Sequence, residues 1–377
     1  MIASSKGRPR IVAEIGTAHE GDIGRAAALI RAAREAGADT AKFQLVRAHE
    51  ILHPKAGSVE LPGGKVPLYE RFTELERDEE FYEKLRDLCH AEGLRFLCTP
   101  FGTESAKILR GLSVEEFKVA SPELNHLPLL RQLVQYQKPI VLSAGVATMA
   151  DIAEALSVFP GGYPVTVLQC VTAYPAPEED YNLRTIPALR AAFGVGVGVS
   201  DHSMDPVLVP ALATLLGASM VEKHITLHRG NAGLDDPIAL EPEPFSEMVG
   251  QITAIADRLM QARDADPVAL AAQELEIENE LRDRFGNDRV ERVLGSGIKG
   301  IAASEARNYG YTNRSIHAVS SLQSGTQIRE DSVSILRTEK NLTPGLHPRY
   351  WSAVLGARLV RPIEAGQGLT WDHLLSR

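Results

Sequence analysis

The sequence predicts a (β/α)8 TIM barrel followed by a small β-rich domain, and three observations predict it. Eight short apolar runs alternate with longer amphipathic stretches between residue 10 and residue 262. The C-terminal stretch holds two copies of one short unit. A chain of 377 residues has room for a barrel of ordinary size and a second unit beside it.

The apolar runs are Ile11–Ile15, Thr40–Leu45, Arg95–Cys98, Phe117–Ala120, Ile140–Ser143, Val165–Gln169, Val195–Val199 and Ser219–Val221. Helical patterns follow them, among them Arg25–Ala36, Glu79–Glu92, Ser105–Leu112, Leu127–Gln135 and Met149–Val158. Strand-length apolar runs alternating with helices read as βαβ units in a parallel sheet. Eight such units favour a closed barrel over an open doubly wound sheet. Residues 46–76 and 225–243 read as long loops, and loops of that length are usually functional or disordered.

The barrel is assigned to residues 1–262. Residues 263–292 are rich in Glu and Arg, with Ile277, Leu281 and Phe285 at helical spacing. They read as a helical arm within a linker that reaches residue 310. In the unit 311–377, residues 319–333 align with 360–374. Val319 matches Val360, Leu322 matches Ile363, Gly325 matches Gly366, Ile328 matches Leu369, and Asp331 matches Asp372. Two copies around a Gly turn suggest a pseudo-symmetric β unit.

Composition narrows the function classes. A formal net charge of −9 argues against nonspecific binding to nucleic acid or an anionic membrane. Cys89, Cys98 and Cys170 form no CxxC pair, so neither a disulfide framework nor a zinc knuckle is indicated. The N-terminus is polar, and no stretch approaches a membrane span. The expected location is the cytoplasm.

Functional residues of such a barrel sit at the C-terminal ends of its strands. Those ends carry Glu14, Lys42, Gln44, Thr99, Lys118, Ser121, Glu123, Ser143, Thr172, Tyr174, Ser200, Asp201, His202, Glu222, Lys223 and His224. Singly, each is as easily a satisfied polar residue at a loop junction. Together they say more. Lys42 and Lys118 lie inside apolar strands, where an unpaired ammonium is costly, and a bound anion explains both. Thr99, Ser121, Ser143 and Ser200 add neutral donors, so the set resembles a cradle for phosphate and carboxylate. His202 and His224 end neighbouring strands. They can share a divalent ion, or be two hydrogen-bonded structural histidines. Glu14 and Glu123 are candidate acid/base groups, the alternative being ion pairs with Lys42 or Lys118. Asp235, in the loop after the last strand, either reaches a sugar hydroxyl or is an exposed loop acid.

Ordered segments carry a family resemblance. They include IVAEIGTAHEGD, AGADTAKFQ, FLCTPF, KVASPELNHLPLL, KPIVLSAG, CVTAYPAPEEDYNL, GVSDH and LGASMVEKHIT. With them the chain resembles the N-acetylneuraminate (sialic acid) synthase family over nearly its whole length. RSIHAV and the repeat look like the antifreeze-protein-like (SAF) domain of that family. The resemblance implies condensation of phosphoenolpyruvate with N-acetylmannosamine or a related amino-sugar aldehyde, releasing phosphate, with Mn²⁺ or Mg²⁺. It implies that His202 and His224 bind the metal, and that Lys42, Thr99, Lys118, Ser121, Ser143 and Ser200 hold phosphoenolpyruvate. Glu14, Gln44, Tyr174 and Asp235 would contact the sugar or move protons. Arg314 would enter the barrel of a partner in a domain-swapped homodimer.

The sequence also departs from the family. Ala18-His19-Glu20-Gly21 stands for Asn-His-Asn-Gly or Asn-His-Glu-Gly, Thr172 for a frequent Asn, and Ala232-Gly233-Leu234-Asp235 for Pro-Gly-Pro-Asp. These changes fall where the aldehyde is expected. Two other readings are a synthase for a phosphorylated aldose and an inactive carbohydrate-binding barrel.

Overall fold

The computed structural model describes residues 8–61, 64–231 and 233–375; the polar segment 1–7 and Ala232 of the altered loop lie outside them. Eight parallel strands form one sheet: β1 (Arg10–Gly16), β2 (Thr40–Leu45), β3 (Arg95–Pro100), β4 (Phe117–Val119), β5 (Ile140–Ser143), β6 (Val165–Cys170), β7 (Gly196–Asp201) and β8 (Met220–His224). Their order is β3-β2-β1-β8-β7-β6-β5-β4, with β3 and β4 lying side by side, so the barrel is nearly closed. The helices after successive strands are α1 (Ile23–Glu35), α2 (Glu79–Ala91), α3 (Thr103–Gly111), α4 (Leu127–Gln135), α5 (Met149–Leu156), α6 (Thr185–Phe193), α7 (Leu208–Leu215) and α8 (Pro242–Ala265). Their starts are chemically marked. Asp22 accepts from the Arg25 amide and Asp78 from the Phe81 amide, while Thr148 and Asp151 form a reciprocal cap on α5.

The two-residue period of a strand aims the site. Val12, Leu97, Val141, Leu168 and Met220 pack together as an apolar plug inside the barrel. Two positions further along the same strands come Glu14, Thr99, Ser143, Cys170 and Glu222. They point the same way but one layer nearer the C-terminal mouth.

Every residue of α7 is buried. A helix that is apolar all round needs an outer cover. Helices α9 (Pro267–Phe285) and α10 (Asn287–Leu294) pack against it, burying Ile277, Leu281, Val290 and Val293. This is the physical use of the charged arm.

Residues 46–76 are more ordered than a loop. They contain short helices at Ala48–Ile51 and Leu68–Glu74 and a hairpin of Ser58–Leu61 with Gly64–Pro67. Elements this short carry no readable period. Tertiary packing fixes them, through a cluster of Val46, Ile51, Leu52, Leu75, Phe101 and Leu342 of the terminal unit.

In the terminal unit β9 (Arg314–Ala318) pairs antiparallel with β10 (Val333–Arg337). The two repeats meet at Leu322 and Ile363, which exchange both backbone hydrogen bonds, each 2.9 Å. Matched Gly325 and Gly366 both have left-handed φ, 86° and 87°, where a side chain is disfavoured. Matched Ile328 and Leu369 are buried.

Burial pushes three histidines down: His19 to about 4, His126 to about 3 and His317 to about 4. The unfolded value is near 6.5, so as pH falls the unfolded chain takes up these protons first. Stability is therefore fully present above that value and is lost as pH falls towards the folded values. Between pH 7.5 and 5.5 the loss should be roughly 1 kcal/mol per histidine. Urea unfolding at the two pH values measures it. His126→Gln should remove its own share of the difference; an unchanged difference contradicts this account.

Candidate active site

A cavity opens at the C-terminal mouth of the barrel, and inward-facing strand ends line it. Lys42 Nζ lies 2.8 Å from Glu14 Oε2 and 3.4 Å from Glu222 Oε1. Lys118 Nζ donates to Ser143 Oγ at 2.6 Å and lies 3.8 Å from Glu222 Oε1. Ser200 Oγ donates to the same Glu222 oxygen at 3.1 Å. Glu222 therefore sits between the two lysines, and the whole group is buried.

The lysines are not equivalent. Burial works against the Lys42 ammonium, but Glu14 and Glu222 together raise it to about 12. For Lys118 burial prevails over the more distant Glu222, and its value falls. Burial, with Glu222 nearby, raises Glu14 despite Lys42. Burial also acts on Glu222, but the two lysines keep it low. Lys118 is thus the less compensated cation, where an incoming anion has most to gain. The hydroxyls of Thr99 and Thr172 are buried without a protein partner among the described residues. Both belong to cavity-lining residues and suit a ligand.

The same cavity is lined by two imidazoles, His202 and His224, with ring centroids 5.5 Å apart. His202 Nδ1 lies 2.8 Å from the Val171 carbonyl, an arrangement that puts the proton on Nδ1 and the lone pair on Nε2. Tyr174 stacks on His202 at 4.3 Å. Burial, then His202, hold His224 well below the usual imidazole value. Burial opposes charge on His202, but Cys170 beside it raises it to about 9. Asp235 Oδ2 is 3.9 Å from His224 Nδ1. Burial, then Glu14, raise Asp235 to about 6. No group of three or more His, Cys, Asp or Glu able to hold a metal occurs among the described residues. His202 and His224, with Asp235 nearby, are the residues that would hold a divalent ion here, and two imidazoles leave room for other ligands to complete it.

Asp235, Glu14 and Gln44 converge on one point. A Cβ on Gly16 would lie 3.1 Å from Gln44 Nε2, 3.3 Å from Glu14 Oε1 and 3.5 Å from Asp235 Oδ2. Gln44 Nε2 donates to Glu14 Oε1 at 2.8 Å. The wall beside them is apolar, with Phe72, Phe101 and Leu234. Glu20, two residues after the departing Ala18, helps hold that wall. It takes two hydrogen bonds, 2.8 and 2.7 Å, from Arg71, the neighbour of Phe72.

Two expected site residues lie elsewhere. Glu123 is fully buried outside the cavity lining, and its Oε1 accepts from Arg314 Nε and Nη2 (3.0 and 2.8 Å) and Arg337 Nε and Nη2 (3.0 and 2.8 Å). Its Oε2 has no hydrogen-bond partner among the described residues, but the carboxylate lies off the cavity lining, and its ion-pair partners are these arginines rather than Lys118. Arg314 also misses the cavity. It is buried within its own chain, donating to the carbonyls of Glu50, Ile51, Phe101 and Ile335. The terminal unit thus packs on its own barrel, and the arginine it presents to the cavity is Arg337. Arg314 and Arg337 are paired in register across β9 and β10, so the strand partner of the motif arginine is the one at the cavity. Glu222 was visible to strand period: it falls on the inward phase with Met220 and His224, whereas Lys223 turns away to Asp201 at 2.7 Å.

Residues 29–264 match the NeuB family, and residues 313–375 match the SAF domain. The chain belongs to the NeuB family. The spore coat polysaccharide biosynthesis protein SpsE of Bacillus subtilis is 35% identical over 97% of this chain and 93% of its own length. An N,N'-diacetyllegionaminic acid synthase of Legionella pneumophila is 29% identical over 97% of this chain and 94% of its own. A pseudaminic acid synthase of Helicobacter pylori is also 29% identical, over 97% and 98%. The crystal structure of B. subtilis SpsE superposes with a TM-score of 0.79, at 33% identity over 100% of this chain and 97% of that one. The NeuB match stops at the arm, while the whole-chain relatives run through it.

Proposed function

We propose that this NeuB protein joins phosphoenolpyruvate to an amino-sugar aldehyde, giving a nonulosonic acid and phosphate. One observation carries the reading: two buried lysines, two unpartnered hydroxyls and two imidazoles line one cavity. The relatives named as legionaminic and pseudaminic acid synthases support it. Lys42, Lys118, Thr99, Ser121, Ser143 and Ser200 hold the carboxylate and phosphate. Gln44, Tyr174, Asp235 and Arg337 face the sugar. The apolar wall suits acetamido and deoxy groups better than a second phosphate. Arg337, the cavity's arginine, is already engaged by Glu123.

C3 of phosphoenolpyruvate attacks the aldehyde carbon, and the aldehyde oxygen takes a proton to become a hydroxyl. Water adds to the cation left at C2 and loses a proton, and the C2–O bond to phosphorus breaks to leave a keto group and phosphate. Glu14 stands beside Lys42 and Gln44 with a raised value, suited to holding or passing such a proton. Its Oε2 has no hydrogen-bond donor beyond the Lys42 ion pair. A divalent ion on His202 and His224 would supply Lewis-acid polarisation of the aldehyde oxygen. Within the single chain the terminal unit supplies Arg337; the domain-swapped homodimer expected above would bring the same residue to the site from the partner's terminal unit. The cytoplasm, where phosphoenolpyruvate is made, fits as the location. No helix among the described residues is long and apolar enough to cross a membrane.

Phosphate release from phosphoenolpyruvate, Mn²⁺ and a panel of amino-sugar aldehydes tests the reading. EDTA should abolish release, and His202→Ala and His224→Ala should each cut it at least about 10²-fold. Release insensitive to all three would overturn the metal assignment. No release with any aldehyde would overturn the reaction.

A further inference from the structure

We infer that Glu305, in the segment joining α10 to the terminal unit, is a positioning residue for the anion half of the site. The inference rests on the function proposed above. Glu305 is fully buried and does not line the catalytic cavity. Its Oε1 accepts two backbone amides, from Val146 at 2.7 Å and from Thr172 at 2.6 Å. These amides belong to different loops. Val146 lies three residues beyond Ser143 at the end of β5, and Thr172 two beyond Cys170 at the end of β6.

Val146 is held in an unfavourable conformation. Its φ is +43°, a left-handed geometry that a β-branched residue avoids. Such strain persists only where the surroundings over-determine it. Here both its backbone groups are taken by residues beyond the barrel. Glu305 accepts its N–H, and Asn313 Nδ2 donates to its carbonyl at 3.1 Å. The preceding residue, Gly145, donates its N–H to Ser121 Oγ at 2.9 Å. A Cβ at Gly145 would fall 2.2 Å from Thr172 Oγ1, 2.9 Å from Ser121 Oγ and 3.0 Å from Glu305 Oε1. The loops after β4, β5 and β6 therefore meet at one point, with the carboxylate as the clasp. Further contacts brace it from the same side. Ser304 N donates to Asp180 Oδ2 at 2.9 Å, and Gly297 N to Asn182 Oδ1 at 2.7 Å.

Removing the carboxylate leaves two buried amides without an acceptor. Val146 is then free to relax, and Gly145 to withdraw from Ser121. Ser121, Ser143 and Thr172 lose their mutual placement, while Glu14, Lys42 and Glu222, on strands away from the clasp, keep theirs. The expected signature is a loss in phosphoenolpyruvate affinity rather than in turnover.

The test compares steady-state kinetics and amide hydrogen exchange of the full chain. Glu305→Ala should raise KM for phosphoenolpyruvate about 30-fold and lower kcat less than about threefold. Glu305→Gln keeps a carbonyl oxygen at the same reach and should recover to within about threefold of wild type. Glu305→Asp, one methylene short, should behave like the alanine variant. In Glu305→Ala the amides of 144–147 and 171–174 should exchange faster, with the other strands unchanged. A wild-type KM in Glu305→Ala overturns the inference. So does equal impairment of the alanine and glutamine variants with exchange raised throughout the barrel, which marks a merely structural carboxylate. Hydrogen exchange needs no substrate. If wild type itself releases no phosphate, the proposed reaction fails while the clasp is still decided by exchange.

Discussion

Lys118→Met is expected to lower kcat/KM for phosphoenolpyruvate by about 10²–10³-fold, the range seen when one preorganised charge donor is removed. The side chain is buried, and its ammonium reaches Ser143 at 2.6 Å but Glu222 only at 3.8 Å. Lys42 by contrast has two carboxylates within 3.4 Å. The four charges, Lys42 and Lys118 against Glu14 and Glu222, cancel before substrate arrives. An anion therefore binds best where compensation is poorest, which is Lys118, and where a proton is easily gained, which is Glu14. Met matches the length and burial of the lysine stem, so the fold should survive. The check is kcat/KM alongside a denaturant midpoint. A variant with near-normal kcat/KM would remove Lys118 from the anion site.

Glu123→Ala should cost about 3–5 kcal/mol of stability, the penalty for breaking a buried ion pair by removing one partner. Arg314 and Arg337, side by side on the terminal unit, then meet the barrel without their shared carboxylate. Burial already depresses Arg314 to about 10 although Glu123 supports it. Arg337 is both a partner of Glu123 and part of the cavity wall. Loss of Glu123 should therefore also raise KM for the aldehyde. Equilibrium unfolding in urea reads the first effect and aldehyde kinetics the second. The opposite pattern, lost kcat at unchanged stability, would restore Glu123 as an acid/base group.

The difference between what was legible and what was not follows from range. Lys42, Lys118, Thr99, Ser143 and Ser200 were legible because strand period and the barrel rule act within a few residues. The same logic reaches Glu222, once the alternation Met220, Glu222, His224 is followed. The arm is intelligible from the uninterrupted apolar run of α7, which demands a cover. Arg337, Glu123 and Glu305 depend on how segments 133 to 214 residues apart dock, and no local period encodes that. Arg314 and Arg337 differ only in which of two register partners reaches the cavity. The wall of Phe72 and Leu234 was equally hidden, because its elements are too short to announce themselves.

The most direct measurement is the mass of the product formed from phosphoenolpyruvate and an amino-sugar aldehyde, taken together with the phosphate released. The account predicts one new compound whose mass is that of the aldehyde, phosphoenolpyruvate and water less phosphate, formed one for one with phosphate. Phosphate released with only pyruvate and unchanged aldehyde would contradict carbon–carbon bond formation, and with it the proposed function.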